Sequence, residues 1–361
     1  CSITRIGSPL MNQASTDSVF LHSIANTLSS EVDALAGKHL LLTGATGFLG
    51  SHITSFLKFL NDNVLSTPCH VTLMDNFISS DRATAKADSF SLLQHNVCEP
   101  FPTFDKPVDF IMHAAGIASP AIYMNHPLEA LDVSIIGTRN VLDCAKQFGS
   151  KVLFFSSSEI YGDPDPQFVP TPETYRGNVS TMGSRACYDE GKRVGETLCH
   201  LYHTYFGVHA TIVRPFNVFG PGLRETDRRV MPNFASQIKA GLPLTVYGTG
   251  LQTRTYCFID DAVSGFFLAL LRGKSGNAYN IGNPNPEINI KDLIALMEEV
   301  LGRKIPLNLV AHPADYPNDE PMRRCPDISK ARTEINYHPT ISLKSGIERF
   351  LQWTQANYSD R

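Results

Sequence analysis

No CxxC pair and no metal-ligand spacing occurs among the eight cysteines, Cys1, Cys69, Cys98, Cys144, Cys187, Cys199, Cys257 and Cys325. Scattered thiols of this kind fit free, buried cysteines in a reducing compartment, and no metal is expected. No apolar run is long enough to span a bilayer, which takes about 20 residues; the stretch SGFFLALL (264–271) is among the longest. Basic runs are absent too, and the net charge is −4. Neither nucleic acid nor an anionic membrane is therefore an expected partner. Residues 1–36 have no basic start followed by an apolar core, so no signal peptide is expected and a soluble cytoplasmic protein is the default. There is no internal repeat and no low-complexity segment. What is present is 361 residues with 42% hydrophobic content, enough for one large core or two lobes.

Apolar residues at 19, 20, 21, 24, 25, 28, 32 and 35 predict an amphipathic helix over Ser18–Leu35. The apolar strand Lys38–Thr43 then runs into the turn Gly44-Ala-Thr-Gly-Phe-Leu-Gly50, followed by a helical pattern over 52–60. Further strands are expected at His70–Asp75, Val108–His113, Lys151–Phe155 and His209–Arg214, separated by helix-length segments that include 128–148 and 184–206. Such alternation predicts an α/β fold of the doubly wound Rossmann type, a parallel sheet covered on both faces. Beyond about residue 213 the alternation breaks down and proline and glycine become frequent. The expected division is an N-terminal extension (1–36), a dinucleotide-binding domain (37–212, rejoined by 253–275) and a smaller C-terminal α/β lobe (213–252 and 276–361).

Gly44, Gly47 and Gly50 follow a first strand and open a helix, as a dinucleotide loop requires. Glycines let backbone amides approach a pyrophosphate, and the helix N-terminus stabilises its charge. Asp75 closes the second strand, where a carboxylate accepts the ribose hydroxyls and repels a 2′-phosphate. NAD is favoured over NADP, with Arg82 a few residues on able to soften that preference. Thr46, Phe48, Leu49, Asn76, Asn96, Val97 and Ala114 complete the expected cofactor contacts.

Tyr188 and Lys192 stand four apart, on one face of a helix. An adjacent cation lowers a phenol from its ordinary value near 10 and makes it a usable base. Upstream, the strand Lys151–Phe155 runs into Ser156, Ser157, Ser158 and Glu159. The set Ser157, Tyr188 and Lys192 resembles the catalytic group of the extended short-chain dehydrogenase/reductase superfamily. The segment RACYDEGKR (185–193) resembles the catalytic helix of its UDP-glucuronic acid decarboxylase branch, the UDP-xylose synthases. ASPAIY (118–123), YGDP (161–164), GNV (177–179), QTR (252–254) and RRCPDISK (323–330) point to the same branch. Departures from the pattern are Asn96 in place of an aspartate that reaches the adenine amino group, Gly116 in place of a cysteine, and Arg176 in place of an aromatic residue.

The resemblance implies NAD-dependent decarboxylation of UDP-glucuronate to UDP-xylose. Tyr188, activated by Lys192 and oriented with Ser157, would take the C4 hydroxyl proton. The resulting 4-keto acid would lose CO2, and hydride would return to C4. Substrate contacts implied are Ser119, Tyr123, Asn217, Arg229, Tyr247, Arg254 and Arg324; Arg185 would meet the sugar carboxylate or pair with Asp189. Glu159 reads as a neighbour of the substrate carboxylate, with a raised pKa or as a repelling charge. A homodimer through the helices at 128–148 and 184–206 is expected by analogy. The alternatives are a 4,6-dehydratase, a 4-epimerase, a decarboxylase that stops at the 4-keto pentose, and a non-catalytic NAD-binding regulator. Dehydratases carry Asp-Glu where this chain has Ser158-Glu159, although GDP-mannose dehydratases resemble the Ser-Glu pair. Regulators usually lack the tyrosine or lysine.

Overall fold

The computed structural model describes residues 13–80, 90–227, 229–311 and 321–359, so Arg82 lies outside the described residues. Seven strands form one sheet: β1 (His39–Thr43), β2 (His70–Asp75), β3 (Ser91–Gln94), β4 (Phe110–His113), β5 (Lys151–Phe155), β6 (His209–Pro215) and β7 (Ala278–Ile281). Their order is β7-β6-β5-β4-β1-β2-β3, and every neighbouring pair is parallel. Chain direction across the sheet reverses between β1 and β4, so a crevice opens at the carboxyl ends of these two strands.

All five residues of β1 are buried, because helices cover both faces. Side chains alternate across a strand, and the core divides accordingly. Leu40 and Leu42 join the apolar cluster that includes Phe56, Phe266 and Phe267. Leu41 joins the opposite one, with Val141, Leu142 and Phe154. The first face is covered by α1 (Gln13–Leu28), α2 (Phe48–Asn63) and the apolar α5 (Ile259–Arg272); the second by α3 (Thr138–Phe148) and α4 (Ala186–Phe206). None of the described helices is long and apolar enough to cross a membrane.

Two helices differ from the sequence reading. The N-terminal helix stops at Leu28, where Ser29 takes a positive φ of 53°, and a 3-10 turn continues over Ser29–Leu35. Ile24, Leu28, Val32 and Leu35 are nonetheless buried, and Arg272 Nε pairs with Glu31 at 2.6 Å, fixing this extension to α5. The segment 128–148 is helical throughout, as expected, but it is interrupted by a wider π turn over Val133–Gly137 between Pro127–Asp132 and α3. That turn packs against α4 at Gly191, where a Cβ would lie 3.2 Å from Ser134 Cβ.

β3 and β7 were not expected. β3 is a short, half-exposed edge strand with no apolar alternation, and β7 lies in the stretch where the pattern had lapsed. A small three-stranded sheet matters for the site. Thr253–Arg254 pairs with Ile288–Asn289 on one side and with Arg323–Arg324 on the other. That register brings Arg254 alongside Arg324 from sequence positions far apart.

Candidate active site

The turn after β1 is shaped by two glycines. Gly44 has φ +70, and a Cβ there would meet the Ala115 backbone at 2.6 Å. A Cβ at Gly50 would lie 2.1 Å from the Gly44 carbonyl oxygen. Gly47 caps α2 in extended conformation, leaving the first amides of the helix facing the crevice. Asp75 ends β2, buried, and accepts from the Thr46 amide at 3.0 Å and the Phe77 amide at 2.9 Å. A cavity beside these groups is lined by Gly44, Gly47, Asp75, Asn76, Asn96, Val97 and Ala114, among others. Phe48 and Leu49 are half-buried in the first turn of α2. A glycine cradle, a helix N-terminus and a buried carboxylate around one cavity match a dinucleotide without a 2′-phosphate. Gly50→Ala is expected to cost about 1–3 kcal/mol in packing; a fall in Tm together with weaker NAD binding in titration checks it.

At the end of β5 the chain turns at Ser157, whose hydroxyl accepts from the Glu159 amide at 3.2 Å and caps the 3-10 turn Ser158–Tyr161. α4 lays Tyr188 and Lys192 against this turn. The Tyr188 hydroxyl pairs with Ser157. Lys192 Nζ donates to the Phe155 carbonyl at 2.7 Å and lies 5.8 Å from the Tyr188 ring centre. Burial pushes the phenol up to about 12 against the pull of Ser157, not down as the neighbouring cation suggested. Desolvation outweighs the cation because Lys192 is itself buried and turned toward a carbonyl. Burial also lowers the Lys192 ammonium to about 8, with Glu196 opposing. Tyr123 stacks on Tyr188, ring centres 5.8 Å apart.

Glu159 holds the clearest surprise. Arg324 clamps it with both guanidinium nitrogens, NH1 to Oε1 at 2.6 Å and NH2 to Oε2 at 2.7 Å. Arg185 donates to Oε2 as well, while its Nε lies 3.5 Å from Asp189. Arg324 also approaches Asn217 Oδ1 at 3.5 Å, and Asn217, at positive φ 41°, donates to the Thr255 carbonyl. Of the two roles weighed for Arg185, the pairing with Asp189 is present, and Arg185 also bridges to Glu159.

Ser157, Glu159, Tyr188, Lys192, Arg185, Arg324, Asn217 and Tyr123 therefore meet at the carboxyl end of β5. Ser158 is buried in the same turn, and Ser119 precedes the short helix that carries Tyr123. Arg254 is buried and donates to the carbonyls of Thr253 and Met322. Arg229 caps the helix Val230–Lys239 and pairs with Asp227 at 2.7 Å. Tyr247, partly exposed, is on a separate two-stranded sheet with Leu307–Val310.

A family model described as the NAD dependent epimerase/dehydratase family matches residues 40–282. The chain belongs to this family. NAD is accordingly its cofactor, and the cradle above fits it. A UDP-glucuronic acid decarboxylase 1 of Xenopus tropicalis is 37% identical over 88% of this chain and 72% of its own length. UDP-glucuronic acid decarboxylase 3 of Arabidopsis thaliana is 37% identical over 85% of this chain and 86% of its own. Among solved structures, a UDP-glucuronic acid 4-epimerase from Bacillus cereus, in complex with UDP-glucuronic acid and NAD, superposes with TM-score 0.72. It is 28% identical and covers 89% of this chain and all of its own.

Several groups in this family member escaped sequence reasoning. His113, ending β4, is wholly buried between Thr43 Oγ1 at 2.7 Å and Thr138 Oγ1 at 3.2 Å, and burial drives it down to about 3. It is a neutral structural hydrogen-bonding group. Behind the triad, Ser156 donates to Glu196 Oε1, Glu196 takes a two-point grip from Arg214 at 2.9 and 2.6 Å, and Arg214 reaches the Tyr161 hydroxyl at 2.7 Å. Glu196 lies four residues past Lys192, a spacing that signals a shared helix face.

Proposed function

We propose that this chain decarboxylates UDP-glucuronate to UDP-xylose. The observation behind the reading is a Ser157, Tyr188 and Lys192 group set against Glu159 and its two arginines, in a chain whose relatives are named UDP-glucuronic acid decarboxylases. NAD, when bound, accepts hydride from the sugar C4 and gives it back. The protein's part is proton handling and charge. At rest the proton is on Tyr188, held there by burial. Tyr188 can take the C4 hydroxyl proton only as the phenolate, so its own proton must first pass to solvent, and the nearby Lys192 ammonium offsets the phenolate charge.

Oxidation at C4 places the C6 carboxylate beta to a ketone. Loss of CO2 leaves an electron pair at C5 that delocalises onto the C4 oxygen. Hydroxyls of Ser157 and Tyr188 reach that oxygen and stabilise its charge, a role worth about 10²–10³ in rate per donor. Protonation at C5 and reduction at C4 complete the pentose. Glu159 already offsets much of the charge of Arg185 and Arg324, so the substrate carboxylate enters a site that holds it weakly and lets it leave as CO2.

Lys192 must be charged in this scheme, and burial has lowered it to about 8. The cation is present below that value and lost above it. The rate of turnover is expected to rise with pH as more Tyr188 ionises and to level off above about 8, where loss of the Lys192 cation cancels that gain, measured as kcat/KM against pH; a profile still climbing tenfold per unit well past that value would contradict this role.

A second reading, 4-epimerisation of the same uronate, draws support from the Bacillus cereus relative. Proton NMR of the product distinguishes them. A UDP-linked pentose supports decarboxylation, with C4 carrying a hydroxyl if hydride is returned and a ketone if it is not. A C4-inverted hexuronate would overturn it.

A further inference from the structure

Asp189 follows the catalytic tyrosine and is 5% exposed, yet its Oδ1 has no hydrogen-bond partner among the described residues. Its other oxygen has only the Arg185 Nε at 3.5 Å. A buried carboxylate so poorly satisfied is costly in ionised form. Around it lie Arg185, Cys187 and Tyr188 from its own helix and cap, Tyr123 from the helix before it, Glu159 from the turn after β5, and Arg324 from the C-terminal strand. Among the described residues, Asp189, Arg185, Glu159 and Arg324 contribute two negative and two positive charges, and Arg229, close enough to act on Glu159, is itself paired with Asp227. A small cavity opens onto Glu159, Arg185 and Asp189.

An incoming sugar carboxylate adds one negative charge to this balanced, largely dry cluster. A proton must then go to the acid with the weakest hydrogen bonding. Glu159 is poorly suited, since both its oxygens already accept from guanidiniums. Tyr188 is already neutral. We propose that binding of the anionic nucleotide sugar is coupled to uptake of one proton at Asp189. Burial first, and Glu159 next, already raise Asp189 above the usual carboxylate range. The inference rests on the uronate reading above.

The test is titration calorimetry of the NAD-loaded Tyr188→Phe protein, chosen so that substrate binds without turning over. UDP-glucuronate is titrated in two buffers of different ionisation enthalpy, from about pH 6 to about pH 9. Uptake should approach one proton per substrate at the alkaline end, where free Asp189 is ionised, and vanish at the acid end. Affinity should then weaken by about tenfold per pH unit at the alkaline end. UDP-glucose, which lacks the carboxylate, should bind without uptake. Adding Asp189→Asn should abolish both uptake and the pH dependence. Absence of uptake with the Asp189 protein overturns the inference, and that measurement needs no change at Asp189. Undiminished uptake after Asp189→Asn overturns it too, placing the proton elsewhere. Failure of UDP-glucuronate to bind at all overturns the uronate reading and this inference with it.

Discussion

Tyr188→Phe is expected to lower kcat by about 10²–10⁴-fold, the usual worth of a positioned acid–base group. Affinity for the UDP moiety should be unchanged, because the ring, its stacking on Tyr123 and its packing among Ile117 and Ala130 all remain. Only the hydroxyl that pairs with Ser157 is lost. Steady-state kinetics with UDP binding measured separately checks the split. Equal loss of turnover and nucleotide binding would mean that the tyrosine holds the site together instead of moving a proton.

Glu159→Gln should produce the second-largest effect, with opposite signs in binding and chemistry. Neutralising Glu159 leaves Arg185 and Arg324 with surplus positive charge in a partly dry site. The substrate carboxylate should then bind more tightly, by about tenfold, a modest fraction of the 2–5 kcal/mol typical of such buried pairs. A carboxylate held more firmly leaves less readily, so kcat should fall by about 10²-fold or more. KM and kcat falling together would be the signature. Unchanged kcat would remove Glu159 from the account and leave its pairing with Arg324 a purely structural one.

Much of this was legible in the sequence where periodicity and turn chemistry are strong. The apolar runs at His70–Asp75 and Lys151–Phe155 became strands with the expected limits, and the glycine turn opened a helix as its spacing required. Short elements that borrow stability from neighbours gave no signal. β3 and β7 form because β2 and β6 offer open edges, not because their own four residues demand it. At the site, the residue types were readable but their partners were not. Glu159 was read as a neighbour of a substrate anion, but nothing in the sequence pointed to the arginine 165 residues away in the chain that clamps it. That contact depends on the parallel pairing of Arg323–Arg324 with Thr253–Arg254, a long-range register that no local pattern encodes. The Tyr188 proton was misjudged for a related reason. Sequence spacing gives the distance to Lys192, while the depth of burial that dominates comes only from the fold.

The most direct test of the central claim is release of labelled CO2 from UDP-glucuronate carrying carbon-13 at C6, using pure protein and NAD. The account predicts one labelled CO2 for each UDP-glucuronate consumed, release slowed by about 10²-fold or more after Tyr188→Phe, and an unlabelled UDP-pentose left behind. Consumption of UDP-glucuronate with the label retained in a hexuronate, or no consumption at any NAD concentration, would contradict it.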